Sequence, residues 1–199
     1  MTVQLLDVPE GHIAAVVTCL EMTERPKPKP LPVMMSARLM PVAEPDPASY
    51  RRLFRAVGAP WLWFGRLMME DDALAALLHD PDILLYTVRQ GPEEVGMVDL
   101  DCRADGEVEI SYFGVLPNLA GRGLGGWLMA QTLQIAWGRR PRRVWVRTCT
   151  LDHPGALGFY IHHGFRPYAR KVEIVPDPRL AGLLPRDAAP QVPLLGDLA

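Results

Sequence analysis

Residues 118–133, NLAGRGLGGWLMAQTL, place glycine at 121, 123, 125 and 126 and run directly into an apolar pattern of helical period. Glycine loses more conformational freedom on folding than any other residue. Such a cluster is tolerated where the chain takes unusual dihedrals or where something approaches the backbone closely. Leu124, Leu128 and Ile135 recur on one helical stripe, widened by Trp127, Leu133 and Trp137, so the glycines mark a helix N-terminus. The first turn of a helix leaves backbone N–H groups without internal partners and carries the positive end of the macrodipole, which attracts anions, phosphates above all. The expectation is a phosphate cradle; the alternative is a tight loop that only closes a helix onto a sheet.

Two common cradles do not fit. A Walker loop needs Gly-Lys-Ser/Thr after its glycines, and Gly125-Gly126-Trp127 stands there instead. The dinucleotide fingerprint G-x-G-x-x-G is not met by Gly121-x-Gly123-x-Gly125-Gly126, and no early strand-turn-helix unit precedes it.

With 199 residues the chain is long enough for one domain with a sizeable core. Its 21 basic and 23 acidic residues leave a net charge of -2, which does not suggest a nucleic-acid partner. Cys19, Cys102 and Cys149 are scattered without metal-ligand spacing, and an odd count argues against a disulfide framework, so reduced thiols and no metal are expected. No apolar run approaches the roughly 18 residues that span a bilayer, and MTVQLLDVPEGH lacks the build of a signal peptide. No membrane partner and cytoplasmic residence are the expectation.

The β-branched run HIAAVVTCLEMTE reads as a strand, followed by an extended Pro/Lys connector, RPKPKPLP, with both within 1–35. MMSARLMPV is a second strand candidate. Asp46-Pro47 reads as an N-cap with proline at the first helical position, opening a helix through Tyr50, Leu53, Phe54 and Val57 that Gly58 and Pro60 end. MEDDALAALLHD reads as a second helix with acids in its first turn. DILLYTVRQ, EEVGMVDLDCR and EVEISYFGVL are joined by the turn signals QGPEE and RADGE, which predicts an antiparallel meander. The glycine loop and its helix follow, then a strand in RRVWVRTCT, a short helix in HPGALGFYIHH and a strand in RPYARKVEIV. The proline-rich stretch 176–199 reads as a loosely ordered tail. The fold class expected is a mixed α/β sheet with flanking helices.

Two motifs within about residues 36–175 resemble the GNAT superfamily of acetyl-CoA-dependent N-acetyltransferases. The family's pyrophosphate loop, Q/R-x-x-G-x-G/A, is similar to Ala120-Gly121-Arg122-Gly123-Leu124-Gly125, with Ala120 in place of Gln or Arg. The family pattern N-x-x-A-x-x-F/L-Y-x-x-x-G-F is matched from His153 to Phe165, with His153 in place of Asn. The resemblance implies an N-acetyltransferase domain over 36–175 with splayed strands at the CoA site. Acetyl-CoA is the implied co-substrate, and a small-molecule or peptide amine the acceptor. A homodimer is compatible with it. A non-catalytic acyl-CoA-binding sensor is the alternative.

The chemistry so implied needs a neutral amine, a stabilised oxyanion and a proton for the leaving thiolate. By resemblance, Arg122 and the N–H groups of Gly121, Gly123, Leu124, Gly125 and Gly126 hold the pyrophosphate. A bulge near Gly114 opens the strand, and the backbone of Phe113, Gly114 and Val115 lines the acyl arm. His153 stands where an Asn fixes the CoA arm. Tyr160 aligns with the general acid, and Glu109 with the general base of histone-acetylating members. Asp152, Asp99 and Asp101 are fallback carboxylates, while Thr148 occupies the base position of other relatives and cannot serve. Trp61, Trp63 and Phe64 fall where the family roofs its acceptor site.

Overall fold

The protein was analysed as a computed structural model describing residues 3–27 and 37–196. Among these, seven strands form one mixed sheet and four α-helices flank it, the α/β architecture expected from the sequence. In chain order the elements are β1 (His12–Met22), β2 (Ala37–Pro41), α1 (Pro47–Gly58), α2 (Asp71–Leu78), β3 (Ile83–Gln90), β4 (Glu93–Asp101), β5 (Glu107–Val115), α3 (Leu124–Gly138), β6 (Arg143–Cys149), α4 (Ala156–His162) and β7 (Arg166–Pro176). The sheet order is β2-β3-β4-β5-β6-β1-β7, antiparallel throughout except β5 beside β6. The meander β3-β4-β5 forms as its turn signals predict, with Gly91 and Gly106 at positive φ in the two turns. Pro28, Lys29 and Pro30 of the connector, and the first residues of the second strand candidate, lie outside the described residues.

Two apolar layers cover the sheet. On one face α3 and α4 pack Leu124, Leu128, Met129, Ala136 and Tyr160 against Leu20, Val98, Leu100, Ile110, Val144 and Val146. Thr132, wholly buried there, donates its hydroxyl to the Leu128 carbonyl, which satisfies it inside the helix. On the other face α1 seats Leu53, Phe54 and Val57 against Met97, Ile13 and Ala15. Helix α1 starts as its sequence predicts: the Asp46 carboxylate accepts the Ser49 N–H at 2.8 Å, and Pro47 fills the first helical position.

Strand β1 lies inside the sheet between β6 and β7, with Ile13, Ala15, Val17, Cys19, Leu20 and Met22 buried. One expectation is corrected: the stretch after β7 is not loosely ordered over residues 177–196. Asp177 and Arg179 form a buried ion pair at 2.7 Å, and Arg179 also donates to the carbonyls of Ala188, Val192 and Pro193. Leu184 and Ala189 join the α1-side core, and Gln191 donates to the Pro60 carbonyl at 2.8 Å. The many prolines hid this, because they remove the periodicity from which packing is read.

Candidate active site

The parallel ladder between β5 and β6 pairs Glu107–Ile110 with Arg143–Val146 and then stops. Beyond Ile110 and Val146 the two strands part, and a cleft of about 650 Å³ opens there. It is lined by Phe113, Gly114 and Val115 of β5, Arg147 and Thr148 of β6, the glycine loop, and Tyr160 of α4. The register of β5 against β4 shows how the strand turns into the cleft. Asp99 faces Tyr112 while Leu100 faces Ile110, so Ser111 is an extra residue. A bulge therefore sits at Ser111, three residues earlier than the Gly114 position expected. It flips the parity of the strand: Ile110 packs with the α3 side and Tyr112 with the α1 side. Gly114 is needed for close approach, since a Cβ there would stand 2.6 Å from Val57 and 3.0 Å from Trp63.

At one end of the cleft stands the glycine loop. Gly121 and Gly123 have φ of +75° and +85°, a region that L side chains rarely adopt, and Gly123 is the N-cap of α3 with no side-chain cap. The N–H groups of the first turn, Leu124 to Gly126, carry the positive end of a helix of 15 residues. Gly121, Gly123, Gly125 and Gly126 line the cleft, Arg122 is exposed beside them, and the Leu124 side chain is buried in the core with only its backbone on offer. The backbone donors of this end can hold an anion such as a diphosphate, while Arg122, expected as a ligand, is not among the residues that line the cleft.

At the other end Trp61, Trp63, Phe64 and Tyr112 form an aromatic wall. Trp63 packs on Phe54 and Tyr112, and Trp61 lies edge-on to His153 with ring centroids 5.1 Å apart. Asp152 lies within this wall. Its Oδ2 accepts from Thr148 Oγ1 at 2.7 Å and from the Cys149 N–H at 2.9 Å, and its Oδ1 accepts from Trp63 Nε1 at 3.4 Å. Behind the wall, Arg66 lies over the Tyr112 ring at 5.1 Å with its Nε 3.9 Å from the Asp99 carboxylate, which also accepts a hydrogen bond from the Tyr50 hydroxyl. Burial pushes the Asp99 carboxyl up to about 6 and the Tyr112 phenol up to about 12.

A sequence profile described as the Acetyltransferase (GNAT) family matches residues 49–165, which span the aromatic wall, the split strands, the glycine loop and α4. The chain belongs to the GNAT acetyltransferase family. None of the curated proteins matches it. Among solved structures, a conserved protein of unknown function from Staphylococcus epidermidis superposes with a TM-score of 0.56 at 18% identity, covering 84% of this chain and 63% of that one. An aminoglycoside acetyltransferase from an uncultured soil metagenomic sample, in complex with trehalose, gives 0.55 at 18% identity over 67% of this chain and 90% of that one. A GNAT family acetyltransferase from Elizabethkingia anophelis with acetyl-CoA bound gives 0.52 at 19% identity, over 67% and 78%. At these identities the likeness is one of fold. No helix among the described residues is long and apolar enough to cross a membrane.

Within the GNAT frame the expected residues divide. Phe113, Gly114, Val115, the loop glycines, His153 and Tyr160 meet around one cleft. Tyr160 is buried against Phe113, Phe159 and Phe165, and burial, with the nearby Asp152 charge, pushes its phenol far above the ordinary tyrosine range. His153 is exposed; its Nδ1 accepts the Gly155 N–H at 3.0 Å, so in this structure it shapes the turn into α4. Glu109 does not line the cleft. It precedes the bulge, and its carboxylate accepts from Arg147 at 3.2 Å, with burial raising its pKa and Arg147 opposing that rise. Asp99 is buried with Tyr50 and Arg66 and does not line the cleft, and Asp101 is clasped by Arg103 at 2.6 Å. Ser111, Tyr112, Arg147 and Glu173 line the cleft without having been singled out, because their approach depends on the bulge and on long-range strand pairing.

Proposed function

We propose that this protein transfers the acetyl group of acetyl-CoA to a primary amine by direct attack within a ternary complex. The observation that carries the reading is the continuity of one cleft, from the helix N-terminus built for a diphosphate, through the split between β5 and β6, to an aromatic wall holding a carboxylate. The diphosphate of CoA lies on the first turn of α3, and the pantetheine arm runs along Phe113 to Val115. The amine nitrogen attacks the thioester carbonyl carbon. The C–N bond forms, the C–S bond breaks, and one proton leaves the nitrogen while one reaches the sulfur.

Tyr160 supplies the proton to sulfur. Its raised pKa keeps the phenol protonated at neutral pH; because the same rise makes it a weaker acid than a thiol, the hydroxyl acts by hydrogen-bonding the negative charge that develops on sulfur, and the proton settles on sulfur only as the C–S bond breaks. Asp152 receives the amine. Of the two carboxylates that line the cleft, Asp152 and Glu173, it is the one whose charge acts on Tyr160, and its bond to Trp63, at 3.4 Å, is long enough to give way to an ammonium donor. The aromatic surroundings favour an acceptor with an apolar body. A turnover screen with acetyl-CoA against amines, amino acids, peptide N-termini and lysine peptides, detecting free CoA thiol, tests the reading. Thiol release that depends on an amine and is fastest with aromatic or apolar amines is the expected result. Tight acetyl-CoA binding without release for any amine overturns it.

A further inference from the structure

Residues 177–196 follow β7, lie outside the span 49–165 matched by the family profile, and return to the turn that carries the aromatic wall. One guanidinium gathers this stretch. Arg179, 3% exposed, donates to the Asp177 carboxylate at 2.7 Å and to the carbonyls of Ala188, Val192 and Pro193 at 3.2, 2.8 and 3.3 Å. A buried charge paired in this way fixes its partners, because releasing one leaves a polar group unpaired in the interior. The stretch so held reaches the wall segment by three routes. Gln191 Nε2 donates to the Pro60 carbonyl at 2.8 Å, Arg55 Nε donates to the Leu183 carbonyl at 3.4 Å, and Leu184 and Ala189 are buried in one apolar cluster with Leu62, which Trp63 borders.

The turn they reach is strained. Pro60 and Trp61 belong to the single 3₁₀ turn Ala59–Trp61, and Leu62, which ends it, has φ +52° and ψ +39°, a left-handed conformation disfavoured for any residue with a Cβ. Such a residue keeps its conformation only where its surroundings over-determine it. Within the turn, the Leu62 N–H donates to Ala59 at 3.2 Å and the Trp63 N–H to Gly58 at 3.1 Å; the outside brace is the Gln191 bond and the packing of Leu184 and Ala189. Leu62 is 1% exposed in the core, and Trp61 and Trp63 on either side of it line the cleft. We propose that residues 177–196 hold the aromatic wall in place, so that Gln191 and Leu184 act as positioning residues for the acceptor. The proposal rests on the reading of this wall as the acceptor site. Cofactor binding stays apart from it, because the glycine loop stands at the other end of the cleft, and Asp152 keeps its bonds from Thr148 and the Cys149 N–H when the wall loosens.

Gln191, which is exposed, can be changed without touching the core. Gln191→Glu replaces the donor by a carboxylate facing the Pro60 carbonyl, and Leu184→Ala removes packing from the cluster shared with Leu62. They are expected to raise KM for the aromatic amine 2-phenylethylamine about threefold and about tenfold, with kcat and the acetyl-CoA dissociation constant at the parent values. Gln191→Lys supplies an N–H donor again and is expected to return KM to the parent value. Fluorine NMR of protein labelled with 5-fluorotryptophan reads the wall without turnover. The Trp61 and Trp63 signals, assigned by Trp→Phe variants, are expected to shift in Gln191→Glu and Leu184→Ala, while those of Trp127, Trp137 and Trp145 stay. If the parent acetylates no amine, the acceptor reading falls, and these spectra alone decide whether the stretch positions the wall. Unmoved Trp61 and Trp63 signals, or a lowered melting temperature with KM unchanged, overturn the proposal and leave 177–196 as a brace for the core.

Discussion

At the α3 end the cleft is walled by backbone: Gly121 and Gly123 in left-handed dihedrals and the N–H groups of one helical turn, all within six consecutive residues. The opposite end is walled by side chains, Trp61 and Trp63 after α1, Tyr112 of β5 and Asp152 after β6, gathered from across the sequence. On the proposed reading, the difference lies in what each end would recognise, a diphosphate at one and an acceptor amine at the other. A diphosphate is the same group in every acyl-CoA, so its receptor can be a local backbone shape that tolerates change in the surrounding side chains. An acceptor amine varies, and its receptor is built from side chains that change without disturbing the sheet. The two ends should therefore fail separately under mutation, one in cofactor affinity and the other in acceptor chemistry.

The sharpest break is expected at the side-chain end. Asp152→Asn keeps the shape and loses the proton acceptor, and general-base contributions run from about 10² to 10⁴ in rate. We expect kcat/KM for the amine to fall at least about 100-fold while the acetyl-CoA dissociation constant, read by calorimetry, stays at the parent value. A parallel loss of cofactor affinity would mean that the two ends are one mechanical unit. The introduced amide oxygen still offers the Thr148 hydroxyl and the Cys149 N–H an acceptor, so the variant should remain folded.

Tyr160 stands between the ends. Tyr160→Phe retains the ring packing on Phe113, Phe159 and Phe165 and deletes only the hydroxyl. Protonation of the thiolate is useful but not absolute at neutral pH. A fall in kcat of about tenfold is therefore expected, with melting temperature and acetyl-CoA affinity unchanged. If stability and affinity fall while kcat holds, the phenol belongs to the core and not to the chemistry.

At the backbone end the variable is dihedral freedom. Gly123→Val places a β-branched residue at φ +85°, where strain arises although no atom lies within 4 Å of the added Cβ. The loop must shift, and the first-turn donors with it. We expect about a tenfold loss of acetyl-CoA affinity with kcat at saturation near the parent value. Gly125→Ala is the control that sharpens this. Its added Cβ meets the Phe159 ring at an ordinary 3.7 Å in helical backbone, so the donors should keep their places and affinity should change less.

The same contrast explains what could be read from the chain unaided. The glycine loop, the Asp46 cap, the meander and α4 are encoded in contiguous residues, and each formed where its residues predicted. The cleft's outer wall is not contiguous. Ser111 gives no sequence sign that it is a bulge, yet it decides which face Tyr112 joins. Strand β1 reads as a strand, but nothing in its residues says that it inserts between β6 and β7, more than a hundred positions away. In 177–196 the decisive pair is Asp177 and Arg179, two ordinary polar residues whose burial follows from the carbonyls that Ala188, Val192 and Pro193 offer as acceptors.

Glu109 tests the comparison at its smallest scale, because sequence similarity made it the base and the geometry ties it to Arg147 instead. Burial raises the folded pKa of its carboxyl above the unfolded value, with Arg147 opposing. A raised carboxyl contributes stability below the unfolded pKa, and that contribution is lost as pH rises through the folded value. At neutral pH the charged form is thus the less favoured one in the fold, and Glu109→Gln should keep or slightly raise the melting temperature. Its kinetic effect should be small: kcat/KM within about threefold of the parent, as for loss of a partly exposed ion pair, and an acid limb of the pH profile that superimposes on it. The Asp152→Asn variant should differ in the same measurement, falling well below the parent where Glu109→Gln superimposes on it. If instead Glu109→Gln erases that limb and Asp152→Asn keeps it, then Arg147 must release Glu109 into the cleft when acceptor binds, and the base would be supplied by β5.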